Sequence, residues 1–160
     1  MKSDNINRKG ILGYLLIFFT LFLTSQSHAV VTFEKWYGNT YWDEAKFVQQ
    51  TTDGGYIIIG TTHNHGNDIW IIKTDSLGDT LWTKTYGGNY GEWGYFGQKT
   101  MDGGYIIVGM TYSYGVGRSD VYLLRTDSLG DKLWTKTFGG NEMDCGYSVQ
   151  QTTGGGYIIA

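Results

Sequence analysis

"TDSLGDTLWTKTYGG", Thr74 to Gly88, returns as "TDSLGDKLWTKTFGG", Thr126 to Gly140, with two of fifteen positions changed. The changes are Thr80 to Lys132 and Tyr86 to Phe138. Self-similarity at a fixed period marks a repeat architecture. A second phrase repeats in step with the first. "TTDGGYIIIG" at Thr51 to Gly60 recurs as "TMDGGYIIVG" at Thr100 to Gly109, and begins again as "TTGGGYIIA" at Thr152 to Ala160. The tyrosines of these phrases, Tyr56, Tyr105 and Tyr157, are spaced by 49 and 52 residues. The extra residues fall in one place, between "TTHNHGND" (61–68) and "MTYSYGVGRSD" (110–120). Length changes are tolerated in surface loops, so these two stretches read as one loop of variable length.

Each unit reads as four strands. The first is "FVQQT" from Phe47, and again "YSVQQT" from Tyr147. "DGG" turns the chain into "YIIIGTT". After the variable loop comes "DIWIIKT" or "DVYLLRT", then the turn "DSLGD", then "TLWTKTYGG". Gly78 and Gly130 hold the turn position that needs a left-handed backbone. "YIII" and "IWII" are continuous apolar runs, which a strand shows when both of its faces are buried. The fourth strand is mixed and reads as an outer one. Two covered inner strands per unit predict four-stranded antiparallel sheets stacked face to face, as propeller blades are. "VTFEKWYG" near the start matches a fourth strand. The expectation is an all-β, β-propeller-like array of about two full blades plus partial ones, with units about 47–95 and 96–146 and a third, truncated unit from 147.

The first 29 residues read differently. Lys2, Arg8 and Lys9 precede the apolar run Ile11 to Leu23, and Ser27-His28-Ala29 places small residues at −3 and −1 of a cleavage site. That is the layout of a secretory signal peptide, helical in its apolar part and removed after Ala29. Thirteen apolar residues fall short of the roughly 20 that span a bilayer. No stable membrane span is expected once it is cleaved. Residues 30–160 then form the exported domain, in the periplasm, at the cell surface or outside the cell. Net charge is −3, and loss of the basic leader makes it more negative, which argues against nucleic acid. Cys145 is the single cysteine, so an internal disulfide is impossible.

The run DGGYIIxG, followed by D-aliphatic-aromatic-aliphatic-aliphatic-K/R-TDSxGDxLWxKT-aromatic-GG, resembles the β-propeller repeats of exported Bacteroidota proteins. Such chains are often longer and end in a type IX secretion sorting domain. The resemblance implies a fold and an exported location, and it carries no catalytic residues. "DSLGDTLW" also resembles, with altered spacing, the turn-plus-Trp signatures of quinoprotein and sialidase-like propellers, where Trp packs between blades. Trp82 and Trp134 are expected to do so here. A closed propeller needs at least four blades, and the third phrase stops at Ala160 inside a strand. The remaining blades are expected from a longer protein or from homo-oligomerisation.

Candidate chemistry is sparse. His63-Asn64-His65 with Asp68 has metal-ligand residue types. The matching loop carries Tyr112-Ser113-Tyr114 instead, so no metal or cofactor is expected. His63, His65, Asp68, Tyr112 and Tyr114 read as a candidate surface-binding loop for a glycan or protein partner. Asp75, Asp79, Asp127 and Asp131 read as turn residues that bond backbone N–H groups. Glu92, Glu142 and Asp144 read as solvated charges on the connections between units. No Ser-His-Asp or Cys-His set is present. The expected function is a non-catalytic binding or scaffold module. The alternative is the N-terminal piece of a larger secreted enzyme, carbohydrate-active or quinoprotein-like, with its active site elsewhere.

Overall fold

A computed structural model describes residues 33–38, 42–63 and 66–160. The leader, with its expected helix, lies outside the described residues. Ten strands follow in chain order: β1 (Asp43–Gln50), β2 (Tyr56–His63), β3 (Asn67–Thr74), β4 (Thr80–Tyr86), β5 (Glu92–Lys99), β6 (Tyr105–Thr111), β7 (Asp120–Thr126), β8 (Lys132–Phe138), β9 (Val149–Gln151) and β10 (Tyr157–Ile159). β1 to β4 form one antiparallel meander, β5 to β8 a second, and β9 with β10 a two-stranded third. No helix occurs among the described residues, so the all-β expectation holds there.

The continuous apolar runs are explained by the stacking of the sheets. Ile57, Ile59, Ile69 and Ile71 of the first sheet pack against Tyr105, Ile107, Tyr122 and Leu124 of the second. The alternate residues of the second sheet, Ile106, Val108 and Leu123, pack against Val149, Tyr157 and Ile159 of the third. Side chains alternate across a strand, so a strand sandwiched between two sheets must be apolar at every position. Each fully buried aliphatic side chain here contributes about 1.5–3 kcal/mol relative to exposure. β4 alternates between half-buried and exposed positions from Leu81 on, and β8 is exposed except at Trp134 and Thr137, as outer strands should be. Trp82 lies edge-on to Tyr105 at 6.1 Å and Trp134 to Tyr157 at 5.9 Å, each ring joining an outer strand to the next sheet.

Both hairpin turns are built as their composition suggests. Asp75 Oδ1 accepts from the amides of Leu77 (2.9 Å) and Asp79 (2.8 Å), and Asp127 does the same for Leu129 and Asp131. Gly78 and Gly130 have φ of 80° and 82°. Any other residue there would be strained. It would also collide: a Cβ on Gly130 would lie 2.8 Å from the Trp82 ring, and one on Gly78 would lie 2.5 Å from Phe33.

The sheets begin earlier than the apolar pattern suggests. β1 starts at Asp43 rather than Phe47, and β5 takes in Glu92, Trp93 and Gly94, which read as connection. A bulge at the same place in both strands accounts for this, between Ala45 and Phe47 and between Gly94 and Phe96. A bulge breaks the two-residue alternation, so the strand continues where its pattern appears to stop. The segment Phe33–Gly38 is not part of a sheet, although its sequence matches a fourth strand.

Candidate functional site

The connections between sheets and the variable loops meet at one end of the stack. Glu92 opens β5 and is 0% exposed. Its Oε1 accepts from the Thr111 hydroxyl and its Oε2 from the Gly88 amide, each at 2.7 Å. The expectation of a solvated Glu92 is therefore overturned: burial inside the bulged strand start makes it a tether for the Gly-Gly connection. The same job recurs. Asp43 accepts from the Thr62 hydroxyl at 2.6 Å, and Asp144 from the Gly140 amide at 2.8 Å. Asp144 is half-buried and so also departs from a solvated charge, whereas Glu142 is exposed.

A second acid from the preceding sheet joins two of these tethers, those of Glu92 and Asp144. A Cβ on Gly87 would meet Asp68 Oδ1 at 1.7 Å and Glu92 Oε2 at 3.1 Å. One on Gly139 would meet Asp120 and Asp144 oxygens at 2.2 and 2.8 Å. Asp68 and Glu92 thus converge on one glycine. Burial, and then the Glu92 charge, hold the Asp68 carboxyl above the usual carboxylate range.

The longer loop after β6 closes over the same connection. The Tyr114 hydroxyl donates to the Gly87 carbonyl at 3.0 Å, and the Tyr112 amide to the Gly91 carbonyl at 2.9 Å. The Tyr90 amide donates to Ser113 Oγ at 2.8 Å. Rings gather around it. Tyr112 meets Trp93 edge-on at 5.5 Å between centroids, and Tyr114 stacks on Tyr122 at 5.5 Å with 13° between planes. Tyr112, Tyr114 and Tyr90 still show 39%, 43% and 68% of their surface. Nearby, Tyr95 stacks on Tyr147 at 5.2 Å. Burial pushes the Tyr95 and Tyr122 phenols up to about 12, so both stay protonated at neutral pH.

Of the residues singled out from sequence, Asp68 and Tyr114 come together at Gly87, with Tyr112 beside them. His63 ends β2, exposed, with its Nδ1 against the Asn67 side-chain oxygen. His65 lies outside the described residues. Among the described residues no group of three His, Cys, Asp or Glu could hold a metal ion. Sequence reasoning missed Tyr90, Trp93, Tyr95 and Tyr147. One signal was available: Tyr95 and Tyr147 each stand three residues after the acid that tethers the Gly-Gly connection, Glu92 and Asp144. Sheets stacked face to face set equivalent positions side by side, so a residue type shared at one repeat position predicts a ring pair.

No family model matches this chain, and no curated protein matches it.

Proposed function

We propose that this chain is an exported β-propeller-type repeat module, of the kind found in Bacteroidota, that binds glycan at the cell surface or outside the cell without catalysing a reaction. The observation that carries the reading is the exposed set of rings Tyr90, Tyr112 and Tyr114 over the connection 87–92. Sugar rings stack on such faces, and phenol hydroxyls read their hydroxyl groups. The loop that presents two of these rings is pinned to the backbone at both ends, so little ordering remains to oppose binding. Two of the acids on the connections, Glu92 and Asp144, which could as a pair suggest glycoside hydrolysis, instead hold backbone amides. Both oxygens of Glu92 already accept hydrogen bonds, and a buried, doubly satisfied carboxylate is a poor acid or base for an external substrate. The leader and the resemblance of the repeats support the exported part of the reading.

Affinity electrophoresis through gels containing soluble polysaccharides tests it. Retardation by at least one polysaccharide is expected, with loss of about tenfold in affinity in Tyr112→Ala/Tyr114→Ala, the cost of removing two stacking rings. Retardation by none, or retardation unchanged in the double variant, would contradict it.

A further inference from the structure

Asp68 and Asp120 hold the same repeat position, opposite Thr62 in one sheet and Thr111 in the next, yet their surroundings differ. Asp120 is sealed. It is 3% exposed, its Oδ2 accepts from the Val116 amide at 2.9 Å, and a Cβ on Gly115 would lie 2.2 Å from that oxygen. The longer loop after β6 thus folds back over its own acid. Asp68 is left open. It is half-buried, and among the described residues no hydrogen-bond donor reaches either of its oxygens. Burial and the Glu92 charge both act against its ionised form. A carboxyl held partly out of water without a donor destabilises the fold, so a structural role does not account for it. Its place does. Asp68 Oδ1 would lie 1.7 Å from a Cβ on Gly87, whose carbonyl accepts from the Tyr114 hydroxyl at 3.0 Å. That hydroxyl would in turn lie 3.0 Å from a Cβ on Gly88. Gly87 and Gly88 are exposed, so Asp68 and Tyr114 rest on one open stretch of backbone.

We infer that Asp68 is the specificity-determining residue of the tyrosine surface: its two oxygens accept hydrogen bonds from adjacent hydroxyls of a sugar whose apolar face stacks on the exposed rings. The inference rests on the glycan reading and adds to it what the surface selects. Rings supply contact area but do not tell one sugar from another. A carboxylate accepts at both oxygens and donates at neither, so it matches two neighbouring O–H groups on one sugar ring. Hydrogen bonds to an ionised acceptor are also the stronger kind. A sugar that lacks the hydroxyl pair leaves the carboxyl desolvated and unpaired, and a site of that kind rejects it strongly. The ligand is therefore a neutral glycan with free adjacent hydroxyls. An anionic sugar would meet two like charges, Asp68 and Glu92 behind it. Asp120 cannot act in this way, because Val116 already fills its acceptor and the loop covers it.

The test is affinity electrophoresis of the full chain through gels containing a soluble mannan, xylan or β-glucan, each mobility taken relative to a gel without polysaccharide. The native chain is expected to be retarded by at least one of them. Asp68→Asn keeps the shape and removes the charge, and is expected to lose about tenfold in affinity for that polysaccharide. Glu142→Gln, which removes an exposed acid, is expected to lose none. Urea unfolding separates recognition from folding: the Asp68→Asn midpoint at pH 7 is expected to stay at or above the native value. Retardation of Asp68→Asn equal to the native chain's, with retardation lost in Tyr112→Ala/Tyr114→Ala, would overturn the role of Asp68 and leave the glycan reading standing. A loss of affinity that comes with a lower unfolding midpoint would make Asp68 a structural residue and overturn the inference as well. A native chain retarded by none of the three would overturn both.

Discussion

The first and second sheets carry the same turn, the same ring joint and the same cation latch, yet they differ where the third strand begins. In the first sheet the loop before β3 is short. In the second, Tyr112, Ser113 and Tyr114 fold over the connection 87–92 and bind its backbone. What the sheets share holds the stack together. What they do not share is where an individual binding surface can arise, because no structural role forces those residues to match.

The comparison is broken most severely at the shared joint. Trp82→Ala should cost about 2–4 kcal/mol, since a large half-buried ring leaves a cavity between two sheets. Trp36→Ala should stay within about 0.5 kcal/mol, because Trp36 is 89% exposed. Urea unfolding of the two variants checks the contrast. Glu92→Gln comes next. It removes the charge from two buried hydrogen bonds and should cost about 1–3 kcal/mol, while Glu142→Gln, at an exposed site, should be nearly silent.

The cation latch predicts a pH effect. Lys73 and Arg125, both nearly buried, hold Asp53 and Asp102 across the preceding hairpin turn. Hydrogen bonds from Thr51 and Lys73 hold the Asp53 carboxyl well below the usual range. The Thr100 hydroxyl, and then the Arg125 charge, do the same for Asp102. A depressed carboxyl contributes stability above its unfolded pKa and loses it as pH falls through the folded one. Unfolding midpoints should therefore drop below about pH 4, and Asp53→Asn/Asp102→Asn should flatten that limb. The smallest effect is of opposite sign. Asp68 is raised, so its protonated form favours folding, and that contribution fades as pH rises past the usual carboxylate range. Asp68→Asn should raise the midpoint slightly at pH 7 and leave it unchanged at pH 4.

The sheets were legible in the sequence because every unit repeats the same turn and the same doubly apolar strands. Trp82 and Trp134 could be assigned to the joints for the same reason. The strand starts were not legible, since bulges before Phe47 and Phe96 break the alternation on which such reading depends. Glu92 was misread on similar grounds: a glutamate among glycines looks solvated until Thr111, nineteen residues on, is seen to satisfy it. The loop tyrosines were visible as candidates. Their partners Trp93 and Tyr122 were not, because these contacts depend on how the β6–β7 loop folds back over β5 and β7 of its own sheet rather than on local pattern.

The central claim is that one repeated ring contact locks each outer strand onto the next sheet. A double-mutant cycle between Trp82→Leu and Tyr105→Leu, read by urea unfolding, tests it most directly. A coupling of about 0.5–1.5 kcal/mol is predicted, as expected for an edge-on aromatic pair. Additive losses, with coupling indistinguishable from zero, would contradict it.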